Sequence, residues 1–201
     1  MFKHHWWIRL ILFWSIPGIF YGEQHDFQKN GIAYVWESEP NCLEFKKIFV
    51  DAHVKSYSKV PLDVLKMSSR EEVVTWLEDF FEARYADYKN SKNHLWFSAK
   101  VNGKTVGLLV LDITKHPEEI YIALLAVAPA HQGRGIASSM IHGLFDQFST
   151  CGKFVLNTRH ANEEAKGFYK ALGFVPSSYL HEGLNRELYT GFEYINRRGI
   201  E

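Results

Sequence analysis

Leu124-Leu125-Ala126-Val127-Ala128-Pro129-Ala130-His131-Gln132-Gly133-Arg134-Gly135-Ile136-Ala137 decides how this chain of 201 residues is read. An apolar run ends at Pro129, a turn follows, and a glycine-rich loop opens into a segment with helical patterning. Gly133 and Gly135 keep side chains off the backbone and admit positive φ. Gln132 to Ala137 thus offers a row of backbone N–H groups at a helix N-terminus. The positive end of the helix dipole lies behind them and Arg134 adds a cation. That combination suits a phosphate or pyrophosphate.

Working outward, Ala137, Met140, Ile141, Leu144, Phe145 and Phe148 repeat at i, i+3, i+4 and i+7, which predicts an amphipathic helix after the loop. Upstream lies a β-meander. Leu95–Val101 and Thr105–Thr114 flank Asn102-Gly103, a strong hairpin signal, and Glu118–Ala128 supplies the third strand. Downstream, Phe154–Thr158 reads as a strand and Asn162–Leu172 as a helix closed by Gly173. Phe174-Val175 and Glu187–Ile195 read as the last two strands. Before the meander, Gly31–Glu37 alternates like a strand, and Asn41 caps a helix reaching Tyr57. Ser69 and Glu72 form a capping box for a second helix, which carries Trp76, Phe80, Phe81 and Tyr85. The order β-α-α-β-β-β-α-β-α-β-β predicts an α/β (α+β) fold, with a mixed, mostly antiparallel twisted sheet flanked by about four helices.

Composition narrows the function classes. Hydrophobic residues make up 46% and aromatics 15%, enough for a sizeable core. Lys+Arg and Asp+Glu both number 23, so no strongly basic surface awaits a nucleic acid. Cys42 and Cys151 have neither zinc spacing nor a disulfide framework around them, and the histidines form no HExxH pair. No metal is expected.

Residues 1–30 stand apart as an apolar N-terminal segment and linker, ahead of one domain over 31–201. Leu10 to Tyr21 is almost wholly apolar behind Lys3 and Arg9. It is short of the roughly 20 residues a membrane span needs, and Pro17-Gly18 interrupts it. Phe20-Tyr21-Gly22 is a poor cleavage site for a signal peptide. A signal, a membrane anchor through residues 1–22, and an arm packed on the domain all stay open.

The loop lacks the Gly-Lys-Ser/Thr ending of a Walker motif. It also lacks the third glycine and the βαβ setting of a dinucleotide fingerprint, since Ser138 stands at that place after a meander. Two motifs together are more specific. Gln132-Gly133-Arg134-Gly135-Ile136-Ala137 resembles the Q/R-x-x-G-x-G/A acyl-CoA loop of the GNAT superfamily of N-acetyltransferases. Asn162 to Phe174 resembles that family's second motif, N-x-x-A-x-x-F/L-Y-x-x-x-G-F. The likeness covers Leu95 to Phe174 well, residues 31–90 in element order only, and residues 1–30 not at all.

The resemblance implies an acetyltransferase that moves an acetyl group from acetyl-CoA to a primary amine by direct attack in a ternary complex. Its pyrophosphate would lie on the amides of Gln132, Gly133, Arg134, Gly135, Ile136 and Ala137. Its pantetheine arm would run along the backbone of Leu125, Ala126 and Val127, beside a bulge that opens the strand, with Asn162 touching the arm. Tyr169 would donate a proton to the departing thiolate, a poor leaving group until hydrogen-bonded. The backbone N–H of Val127 would face the developing oxyanion. Glu119, by spacing, is the expected base, with Asp112 behind it. His131 and His160 are expected in surface loops, and Cys151 as an inert turn residue.

The acceptor is expected to be a small-molecule or peptide amine, in a monomer or homodimer, with no nucleic-acid partner. A domain using acetyl-CoA is expected in the cytoplasm, free or held to a membrane by residues 1–22. A non-catalytic acyl-CoA-binding module, membrane-tethered or not, is the alternative.

Overall fold

The computed structural model describes residues 24–197. Its core is one eight-stranded sheet in the order β1-β2-β3-β4-β5-β6-β8-β7. The strands are β1 (Phe27–Lys29), β2 (Ile32–Glu37), β3 (His94–Val101), β4 (Lys104–Asp112), β5 (Glu119–Val127), β6 (Lys153–Arg159), β7 (Val175–Ser177) and β8 (Tyr189–Ile195). Only β5 and β6 run parallel; every other neighbouring pair is antiparallel. The helices are α1 (Cys42–Tyr57), α2 (Leu62–Leu65, a single turn), α3 (Arg70–Tyr88), α4 (Ile136–Gln147) and α5 (Glu163–Ala171). The α/β fold with a mostly antiparallel sheet is the one the pattern predicts.

Both faces of the sheet are covered, so its strands are apolar on both sides. Leu108 and Val110 of β4 face α1 and α3, where they meet Phe45, Phe49, Leu77 and Phe81. Leu109 and Leu111 face the other way, toward Met140, Leu144 and Phe145 of α4. This strict alternation locks the register, because a one-residue slip would exchange the faces. The predicted caps are present. Asn41 Oδ1 accepts from Glu44 N–H at 3.1 Å, and Ser69 Oγ accepts from Glu72 N–H at 3.1 Å.

The segment read as a linker starts the sheet instead. Phe27–Lys29 pairs with β2 across Asn30-Gly31, both at positive φ, the same hairpin signal as Asn102-Gly103. Phe27 stacks on Tyr34 with ring centroids 4.5 Å apart and presses on Gly143, where even a methyl group would clash. The domain therefore includes Phe27, ahead of the expected boundary at residue 31. The apolar stretch within residues 1–22, with its signal, anchor and arm readings, lies outside the described residues. Among the described residues no helix is long and apolar enough to cross a membrane.

One irregularity positions the site. The pairing of β4 with β5 shifts between Val110 and Leu111, leaving Ala123 as the extra residue. Ahead of it, Ile120 and Ile122 face α4; behind it, the even-numbered Leu124 and Ala126 face α1 and α3. The bulge thus inverts the phase of β5. The parallel pairing with β6 runs from Glu119–Lys153 to Ile122–Leu156 and ends there. From Leu124 onward β5 is bonded on one edge only, and a cleft opens on the other.

Candidate active site

The cleft holds two cavities that meet. The larger, about 370 Å³, is lined by Leu125–Val127 of β5, the loop Gln132–Gly135, the start of α4, and Asn162, Phe168 and Tyr169 of α5. The smaller, about 110 Å³, lies between α1, α3, β6 and β8. His53, Leu125, Asn162, Ala165 and Tyr169 line both.

Backbone groups of β5 and the loop make up one side of the larger cavity. Ala128 N–H donates to Val106 O on β4 at 2.8 Å. Alternation along the strand then turns the N–H groups of Leu125 and Val127 away from β4, into the cleft. Val127 O is taken by Gln132 Nε2 at 3.0 Å, which ties the loop to the strand, and Lys55 Nζ donates to Gln132 Oε1 at 2.6 Å. Gly133 and Gly135 sit at φ +75° and +74°, the left-handed region that favours glycine. The first bond of α4 is Ser139 N–H to Gly135 O, 2.9 Å. The N–H groups of Ile136, Ala137 and Ser138 consequently have no backbone acceptor, and no side chain caps them. Free amides and a helix dipole suit the diphosphate of a coenzyme A. His131 lines this cavity as well, and its Nδ1 is buried with no partner among the described residues. Arg134 is exposed and does not line the cavity.

Tyr169 is buried where the cavities join, packed on Phe168, Phe174 and Phe192. Burial raises its phenol well above the usual value, so the hydroxyl stays protonated and can donate. Asn162 caps α5 through Oδ1, which accepts from Ala165 N–H at 3.1 Å. It faces both cavities while serving as a cap.

Glu119 is not brought to this place. It lies at the start of β5, about six residues or roughly 20 Å along the strand from Leu125, and it lines neither cavity. Its buried carboxylate is held by Lys115 Nζ at 3.1 Å and Lys153 Nζ at 2.9 Å. Spacing suggested it, but the cleft opens only past the bulge at Ala123, and Glu119 lies ahead of it. Asp112 is likewise remote from both cavities. Burial works to raise its carboxyl, but bonds from His181 and Thr114 outweigh it and hold the group below the usual range.

Three side chains come to the cleft that the patterns did not single out. His131, expected in a surface loop, is described above. His53, one turn after Phe49 on α1, lines both cavities. Its Nδ1 lies 2.8 Å from Phe49 O, and a carbonyl only accepts, so Nδ1 carries the proton and Nε2 the lone pair. Nε2 has no partner among the described residues. Burial holds this imidazole below its ordinary value, so it is neutral at pH 7. The third is Arg159, at the end of β6 in the smaller cavity. Trp76 and Phe80 line that cavity too, whereas Phe81 belongs to the core and Tyr85 donates to Pro40 O. Cys151 is buried, its thiol pushed up to about 11 by burial. Among the described residues no group of three or more His, Cys, Asp or Glu could hold a metal.

Free backbone amides beside an opened strand, facing a buried tyrosine, suit an acyl-CoA enzyme, and the comparisons with known proteins point the same way. Residues 62–174 match the Acetyltransferase (GNAT) family. The N-alpha-acetyltransferase MAK3 of Arabidopsis thaliana is 32% identical over 149 residues, covering 69% of this chain and 75% of that protein. The N-alpha-acetyltransferase 30 of Schizosaccharomyces pombe is 32% identical over 90 residues, 40% of this chain and 60% of that protein. The crystal structure of the PaiA N-acetyltransferase from Thermoplasma acidophilum in complex with coenzyme A superposes with a TM-score of 0.64 at 13% identity. It covers 82% of this chain and 98% of that one, and so shares the fold. The chain belongs to the GNAT acetyltransferase family and is an acyltransferase.

Proposed function

We propose that this chain transfers the acetyl group of acetyl-CoA to a primary α-amine by direct attack, both substrates being bound at once. The meeting of two cavities at Tyr169, one bounded by free amides and the other by side chains, carries this reading. When bound, acetyl-CoA supplies a thioester whose C–S bond breaks as the C–N bond to the amine forms. The loop amides and the start of α4 hold its diphosphate, and Leu125 to Val127 offer the open strand edge to the pantetheine arm. Val127 N–H donates to the carbonyl oxygen as charge grows on it. Tyr169 donates to the departing sulfur.

His53 takes the role first looked for in Glu119. Its Nε2 accepts the proton the amine gives up. A weakly basic imidazole suits an α-amine, whose ordinary pKa is about 8, better than a lysine side chain near 10.4. The name of the curated relatives supports the same choice of a polypeptide α-amine. Use of acetyl-CoA fits a domain on the cytosolic side.

Initial rates of CoA release, measured while acetyl-CoA and an N-terminally free peptide are both varied, test this. Intersecting lines fit a ternary complex. Parallel lines, which mark a covalent acyl-enzyme, would overturn direct attack. Tight CoA binding without turnover on any amine would favour a non-catalytic module.

A further inference from the structure

The smaller cavity contains a charge that the reaction as proposed does not use. Arg159 is only 4% exposed, yet among the described residues no carboxylate pairs with it. One guanidinium nitrogen, Nη2, donates to Leu65 O at 2.8 Å. The carbon at its centre lies 4.8 Å from the Trp76 ring and 5.9 Å from the Tyr189 ring. The aromatic rings and the single carbonyl fix the plane of the group and leave most of its five N–H donors unused. Arg159 lines the smaller cavity, within reach of a ligand bound there. The cavity lining contains no Asp or Glu. A buried cation is ordinarily neutralised by a paired anion. Here the position for that anion faces the acceptor.

We infer that Arg159 binds a carboxylate of the acceptor, so that the preferred substrate is an amine with a carboxylate a few bonds away. This rests on the acetyltransferase reading and deepens it. The planar fork of arginine matches a carboxylate in bidentate fashion, and rings clamped on its faces leave the edge for that contact. The same charge repels polycationic amines, and the exposed acids Glu71, Glu72, Glu78 and Asp79 of α3 do not line the cavity to offset it. The carboxylate can come from the side chain of an N-terminal Glu or Asp of a peptide, or from the α-carboxylate of a free amino acid.

The test pairs binding with turnover, on the full chain and on Arg159→Gln and Arg159→Lys, each checked for an intact thermal transition and for CoA binding. Calorimetry with CoA present compares the product analogues N-acetylglutamate and N-acetylglutamine α-amide, the second of which has no carboxylate. The wild type is expected to prefer the acid by about 10-fold or more, Arg159→Gln to lose the preference, and Arg159→Lys to keep part of it. CoA release from peptides beginning Glu or Gln, and from glutamate with its α-carboxyl free or amidated, separates the two sources. Equal affinity for acid and amide in the wild type overturns the proposal, as does an equal loss for both in Arg159→Gln, which marks a structural role. If no amine releases CoA, the acetyltransferase reading fails, while the calorimetric preference still decides the carboxylate site.

Discussion

The two cavities that meet at Tyr169 are made of different material. The larger has backbone along one side, in the strand edge, the glycine loop and the first amides of α4, with α1 and α5 closing it. The smaller draws on α1, α3, β5, β6, α5 and Tyr189 of β8, elements spread from Phe49 to Tyr189. A backbone site demands particular conformations, so it leaves glycines at fixed spacing. A side-chain site demands only that the right groups meet, which chain order does not reveal. One protein thus contains a half-site that relatives can share and a half-site free to choose the acceptor.

The largest effect should follow deletion of Ala123, the residue that divides the paired from the opened half of β5. Without the bulge, Leu124 and Ala126 turn to the wrong face of the sheet. Burying the wrong side chains costs on the order of 5 kcal/mol, comparable with the whole stability of a domain. Thermal melting and retention on immobilised CoA would read it. A deletion variant that melts normally and binds CoA would show that the bulge does not set the cleft.

Tyr169→Phe tests the junction itself. Loss of a proton donor is expected to lower kcat about 100-fold, with KM for acetyl-CoA little changed, because the ring remains in place. Gly135→Ala attacks the backbone half alone. Forcing a methyl into the left-handed region costs roughly 1–2 kcal/mol, and calorimetry should find CoA binding weakened about 10-fold with the acceptor KM little affected. Equal weakening of both substrates would mean the halves are not separable.

His53→Gln examines the side-chain half through pH. Burial lowers the folded pKa below 6.5, so the unfolded chain binds the proton more readily. His53 therefore costs stability as pH falls from 6.5 toward its folded value, and contributes no change above that window. The acid limb of kcat/KM should lie in the same region and disappear in the variant. Glu119→Gln is expected to give the smallest change in turnover, far short of the roughly 100-fold loss of a general base. A loss of that size would return the base to β5 and remove His53 from the role.

What was legible follows the same division. Gln132–Ala137 and Asn162–Phe174 declared themselves because left-handed φ, helix capping and a helix N-terminus each require particular residues. Phe27–Lys29 was passed over because three residues give too short an alternation, though Asn30-Gly31 marked its turn. Glu119 was favoured by spacing alone, and although the resemblance implied a bulge in the strand, no local signal puts it at Ala123. His53 sat among Phe49 and Ala52 as one more position on an apolar stripe, and only the convergence of α1 on β5 gives it a cavity to face.

By itself the sequence determined most of the strands and helices, the two caps, the hairpin at Asn102-Gly103 and the glycine loop ahead of α4, since each depends on residues within a few positions of one another. Tertiary structure alone decided where β5 leaves β6, which histidine faces the substrates, and that Arg159 is buried without a carboxylate. Those depend on contacts across up to 94 positions of chain, such as Arg159 with Leu65, and such contacts exist only once the sheet has brought its edges together.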